Sequence, residues 1–101
     1  MALCDSDAVH LLLEYELADD YLERRAALRE DHLARARAAH ERGELLLAGA
    51  LPDPHDRALL VWTAERAVVE RFAESDPYVL HGLVTRWSVR PWDVVVGQEA
   101  S

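Results

Sequence analysis

Apolar and polar residues alternate from Val9 to Tyr15: Val9, Leu11, Leu13 and Tyr15 fall on one side of the chain, and His10, Leu12 and Glu14 on the other. A period of two marks a half-buried strand, and Leu12 implies partial cover on the second side. The period then lengthens. Leu22, Ala26, Leu33 and Ala36 recur at helical spacing and predict one long helix with a narrow apolar stripe, ending near Arg42. Asp19 or Asp20 supplies a carboxylate for the free N–H groups of its first turn, and Glu23 completes a loose capping box. Gly43 accepts the left-handed backbone that stops it.

Leu45 to Leu51 is apolar on both faces, as a central strand covered twice would be. Gly49 lies within it and removes a side chain, so a neighbouring group or a ligand has room to approach the backbone. Pro52 to Asp56 reads as a turn and Arg57 to Trp62 as the third strand. Thr63 is placed to cap a helix from Ala64 to Glu74 that presents Ala67, Val68 and Phe72 to the sheet. Pro77 interrupts the chain, because the residue before a proline avoids helical backbone. A short segment, Pro77 to His81, leads to Gly82. Leu83 to Arg90 alternates again, with Leu83, Thr85, Trp87 and Val89 opposite Val84, Arg86, Ser88 and Arg90. Pro91 ends this strand, and Val94 to Val96 is a candidate short edge strand.

The order β-α-β-β-α-β is the split βαβ, or ferredoxin-like, arrangement of the α+β class: an antiparallel sheet with both helices on one face. It forms a single domain, residues 1–101, with a core of about 9–97. Two helices leave the other sheet face open. Its leucine, valine and tryptophan would make a large exposed apolar patch, so the expected partner is a second copy, sheet against sheet.

Composition narrows the function classes. Half of the 101 residues are hydrophobic and 30% are charged, with 11 arginines against 19 acidic residues and a formal charge of -8. This balance argues against nucleic acid and against an anionic membrane surface. Every fixed cation is an arginine. The single cysteine, Cys4, cannot pair within the chain and suits a reducing, cytoplasmic compartment. Met1 to Asp7 is acidic and lacks the apolar run of a leader, and no apolar stretch approaches the ~20 residues of a membrane span. His10, His32, His40, His55 and His81 show no metal-ligand spacing, and neither a phosphate loop nor a nucleophile elbow is present, so no metal or cofactor is expected.

One ordered set of residues goes further: Arg25, Arg29, His32-Leu33, Gly43, Leu47-Ala48-Gly49, Asp76-Pro77-Tyr78-Val79, Gly82, Val89 and Arg90-Pro91-Trp92. With these spacings the chain resembles the YciI-like family of small dimeric α/β-barrel proteins, from about Leu11 to Gly97. Leu80 and His81 stand where that family more often carries smaller or more polar residues. The resemblance implies a pocket with a His-Asp catalytic pair, here His32 and Asp76. One branch of the family removes chloride from chlorinated hydroxyquinol-type aromatics.

The residues themselves leave alternatives open. On one continuous helix Arg25 and His32 would lie about 20° apart and Arg29 about 40° from Arg25, a polar ridge beside the apolar stripe. His32 is then either a base on a pocket wall or a surface histidine beside Asp31. Asp76 orients His32, caps the turn that follows it, or does both, with one oxygen for each role. Arg25 and Arg29 either hold an anionic oxygen or pair with Glu23 and Glu30. Tyr78 lines the pocket or simply packs. Together these point to a cofactor-independent acid/base enzyme acting on a small anionic or phenolic molecule by elimination, tautomerisation or related lyase chemistry. The alternative is a ligand-binding or structural dimer without turnover.

Overall fold

The computed structural model describes residues 10–97. Cys4 and Val9 lie outside this range. Four strands, β1 (His10–Leu17), β2 (Leu45–Leu51), β3 (Arg57–Trp62) and β4 (Val84–Trp92), form one antiparallel sheet in the order β2-β3-β1-β4. The helical segments are α1 (Tyr21–Arg24), a 3-10 turn (Arg25–Ala27), α2 (Arg29–Glu41), α3 (Arg66–Ser75) and α4 (Pro77–Leu80). The fold is the ferredoxin-like α+β arrangement that the element order predicts.

The core lies between one sheet face and the helices. Leu11, Leu13, Tyr15 and Leu17 line up along β1, as the alternation demands, and Leu60 and Trp62 continue the layer on β3. Val69, Phe72 and Ala73 of α3 close over it, with the Trp62 and Phe72 rings 5.0 Å apart. Ala67 is exposed instead, because it lies on the opposite side of α3 from Val69, Phe72 and Ala73. Thr63 does not cap this helix; its hydroxyl donates to the Gly43 carbonyl at 3.1 Å.

The expected long first helix is broken into three pieces. No proline or glycine lies between Ala18 and Arg42, so tertiary contacts override a helix-favouring sequence. Tyr21 is buried against Tyr78, and Arg24 reaches the His81 carbonyl at 2.6 Å. In the broken stretch Leu22 of α1 and Ala26 of the 3-10 turn are exposed, while Leu33 is half-buried and Ala36 buried. Asp20 makes no capping hydrogen bond and pairs with Arg24 at 3.5 Å. The C-terminus of α2 is as expected: Gly43 has φ +82°, Gly43 N–H donates to His40 O and Glu44 N–H to Ala39 O, the paired bonds of a Schellman ending.

β2 is an edge strand rather than a central one, because β3 and β1 occupy the middle of the sheet. Its apolar second face is therefore uncovered, with Leu47 66% exposed. A Cβ added at Gly49 would meet nothing within 4 Å among the described residues, so no close approach there requires a glycine. β4 runs through Pro91 to Trp92, which an edge strand tolerates. An irregularity beside Leu17 pairs it with Val84, turning Val84 inward. Val94 to Val96 forms no strand with the described residues. No helix among the described residues is long and apolar enough to cross a membrane.

Candidate functional site

The Asp76-Pro77-Tyr78 sequence builds the centre of the site. Asp76 must be extended before Pro77, and its φ of -70° and ψ of 127° are so. Pro77 opens α4 at a position that needs no N–H, and Asp76 Oδ1 accepts from the Tyr78 N–H at 3.0 Å. That cap fixes a carboxylate with no solvent exposure. Two more donors reach it. The Tyr15 hydroxyl donates to Oδ2 at 2.6 Å, and His32 Nδ1 lies 2.9 Å from Oδ1 and 3.0 Å from Oδ2.

Three donors on one carboxylate decide the histidine tautomer. Asp76 accepts from the tyrosine hydroxyl and the backbone N–H, so His32 meets it with Nδ1–H. In the neutral ring Nε2 is then the nitrogen without a proton, and it makes no hydrogen bond among the described residues. The imidazole is held flat against Tyr78, ring centres 4.0 Å apart and 10° from parallel. His32 is 13% exposed, and the part in reach of solvent opens on a cavity of about 280 Å³.

The cavity lies between α1, α2 and the helix-facing side of β1, β2 and β3. His32, Arg25, Arg29, Tyr78 and Gly49 all line it, so the structure brings five of the six candidate residues to its wall, with Asp76 behind His32. Arg25 arrives from the 3-10 turn rather than from a continuous ridge, its guanidinium 5.6 Å from the Tyr21 ring centre. Gly49 contributes backbone only. Its register partner Leu59 points to the open face, while Ala48 and Ala50, paired with Leu60 and Ala58, give the cavity a wall of small side chains. Leu80 and His81 are exposed and take no part in the lining.

Charge and burial fix further roles. Neither Arg25 nor Arg29 forms an ion pair among the described residues, although acids outnumber arginines 19 to 11. Burial, helped by the Asp76 charge and its hydrogen bond, pushes the Tyr15 phenol far above its ordinary range, so it stays a donor. Tyr78 is pushed up to about 12, chiefly by burial and next by Tyr21, while Arg29 and Arg25 pull it down. No group of metal-ligating side chains occurs among the described residues.

Tyr15, Tyr21 and His55 are parts of the site that sequence reasoning did not single out. Tyr15 carried one available signal: a buried tyrosine needs a partner for its hydroxyl. Tyr21 and His55 carried none, since the broken helix and the β2–β3 loop place them.

Comparison with known proteins agrees with the fold. The sequence profile of the YCII-related domain matches residues 8–93. The chain is 35% identical to Protein YciI of Escherichia coli O6:H1 (strain CFT073), covering 75% of this chain and 88% of the relative, and matches Protein YciI of Shigella flexneri equally. Among solved structures it is similar to the 5-chloro-2-hydroxyhydroquinone dehydrochlorinase TftG of Burkholderia phenoliruptrix AC1100, in complex with 2,5-dihydroxybenzoquinone. That similarity has a TM-score of 0.69 at 20% identity over 82% of this chain and 92% of that one. Rv0793 of Mycobacterium tuberculosis follows, with a TM-score of 0.52 at 17% identity over 88% and 96%.

Proposed function

The chain belongs to the YCII-related domain family, and from that premise we propose that it is a small, cofactor-independent acid/base enzyme acting on an anionic or phenolic molecule. One observation carries the reading. The buried Asp76 holds His32 by Nδ1 at 2.9 Å and leaves Nε2 as the basic atom, on a cavity lined by two arginines that have no protein counter-ion among the described residues.

In this mechanism His32 Nε2 takes a proton from a hydroxyl or carbon acid. The imidazolium that forms keeps its Nδ1 proton on Asp76, which Tyr15 and the Tyr78 N–H hold still. Arg25 and Arg29 receive the developing oxyanion. The electron pair left on the substrate then expels a leaving group, or takes up a proton at another atom. The first outcome is an elimination and the second a tautomerisation. TftG is named a dehydrochlorinase, and loss of hydrogen chloride is an elimination, which supports the first.

The partner we propose is a second copy, packed on the open sheet face. Leu12, Leu47, Leu59, Val61 and Trp92 border a groove of about 800 Å³ there. Glu14, Glu16, Arg57 and Arg86 occupy the other end of the same face as cross-strand ion pairs. An apolar area of this kind in a small domain marks an interface.

A screen of wild type and His32→Ala over phenolic, chlorinated and keto-acid compounds tests the chemistry. Loss of general-base catalysis lowers turnover by roughly a hundredfold or more in the variant. Equal turnover in the two removes His32 from the mechanism. Tight binding by wild type with no turnover of any compound supports the ligand-binding alternative.

A further inference from the structure

Four rings follow one another along the cavity wall. His32 lies on Tyr78 at 4.0 Å, Tyr78 meets Tyr21 edge-on at 5.8 Å and 88°, and Tyr21 faces His55 at 6.4 Å and 27°. The first pair is closed and used: its rings touch, and His32 is tied to Asp76. The last pair is loose. Its ring centres are well beyond a close stack, the planes open as a wedge, and both rings line the cavity. The His55 ring makes no hydrogen bond among the described residues, in contrast to His40, whose Nδ1 meets the Leu45 carbonyl at 2.8 Å. Yet the loop that carries it is anchored, because the Asp56 carbonyl accepts from Leu17 N–H at 2.9 Å. A half-buried ring on a pinned loop, with no polar partner and one loose aromatic neighbour, is placed to bind rather than to hold the fold.

Resting on the reading of this cavity as the ligand site, we propose that His55 is its specificity-determining residue. With Tyr21 it takes the flat, conjugated end of a two-part anionic ligand whose reacting end lies at His32. Size supports the second part. A cavity of about 150 Å³ holds a single benzene ring, and this one has about 280 Å³. Charge supports the anion. The Arg25 guanidinium lies 5.6 Å from the Tyr21 ring centre and reaches a carboxylate or phenolate carried on the flat group. The expected class is a planar acid larger than one ring.

Equilibrium titration with a hydroxynaphthoate, a hydroxybenzoate and a hydroxycyclohexanecarboxylate tests this without requiring turnover. Wild type binds them in that order of strength. His55→Ala weakens the naphthoate by about 3- to 10-fold, the range of one aromatic contact, and leaves the cyclohexane acid unchanged. His55→Phe keeps the naphthoate affinity, since it keeps the ring. His32→Ala keeps the order of the three probes. Equal affinities for the three, no binding of any, or a naphthoate affinity untouched by His55→Ala overturns the proposal. A loss in His55→Phe as large as in His55→Ala also overturns it, because it makes the ring nitrogens the working groups. Loss of turnover in His32→Ala bears on the chemistry alone, so the two readings fail separately.

Discussion

The Tyr15 hydroxyl donates to Asp76 Oδ2 at 2.6 Å across 61 positions of sequence, joining a central strand of the sheet to the turn that orients His32. Tyr15→Phe removes that donor without changing the ring. A buried carboxylate oxygen then loses a partner, which costs about 1–2 kcal/mol of folding stability. The carboxylate is also freer to rotate away from His32. A transition-state loss of about 1.4 kcal/mol lowers kcat roughly tenfold. Denaturant melts and steady-state kinetics check the two halves, and an unchanged kcat would confine Tyr15 to a structural role.

Alkaline pH reads the buried phenols. Tyr78 ionises at its ordinary 10.0 when unfolded and at about 12 when folded, chiefly because of burial. Below pH 10.0 both states keep the proton and the contribution to stability is complete. Between 10.0 and about 12 the unfolded state releases a proton that the folded state retains, so stability falls as pH rises. Tyr15, held higher still, adds to that loss over the same window. Denaturation midpoints should therefore drop steeply above pH 10.0 and less steeply in Tyr78→Phe or Tyr15→Phe. Parallel curves for wild type and both variants would contradict the burial assigned to these hydroxyls.

Arg25 and Arg29 give up no ion pair among the described residues when replaced, so Arg29→Ala should leave stability within about 0.5 kcal/mol of wild type. The same change removes a charge-assisted hydrogen bond to an anionic ligand. Affinity for a hydroxybenzoate should fall by roughly tenfold or more, and less at high salt. Binding titrations at two ionic strengths show this. An affinity that does not depend on Arg29 or on salt would remove the anion from the assignment.

The parts of this architecture that were legible from sequence obey local rules. Alternation in β1 places Leu11, Leu13 and Tyr15 on the core face, and Gly43 terminates α2 through its own backbone freedom. The Asp76 turn needs only a carboxylate, a proline and the next N–H. The parts that were not legible depend on distant partners. Nothing between Arg24 and Leu28 disfavours helix, so the 3-10 turn that swings Arg25 into the cavity follows from Tyr21 and Arg24 meeting Tyr78 and His81. The apolar run of β2 looks central because both its faces are apolar. Leu47 is exposed in the single chain, and the cover that its sequence suggests is to be sought in the proposed partner.

That missing cover leads to the last prediction. Leu47 and Trp92 on that face are 66% and 47% exposed among the described residues, so a charge at Leu47 costs the isolated fold little. Leu47→Glu should therefore keep the thermal melt of the monomer. If two copies pack sheet to sheet, the two-fold axis brings this position near apolar residues of the other copy, and burying an unpaired carboxylate there costs several kcal/mol. Sedimentation at micromolar concentration should show a dimer for wild type and a monomer for Leu47→Glu. Replacing Leu80, 65% exposed on the helix side, by glutamate is the control and should leave the dimer intact. A monomeric wild type, or a Leu47→Glu variant that stays dimeric while Leu80→Glu dissociates, would move the interface off the open face.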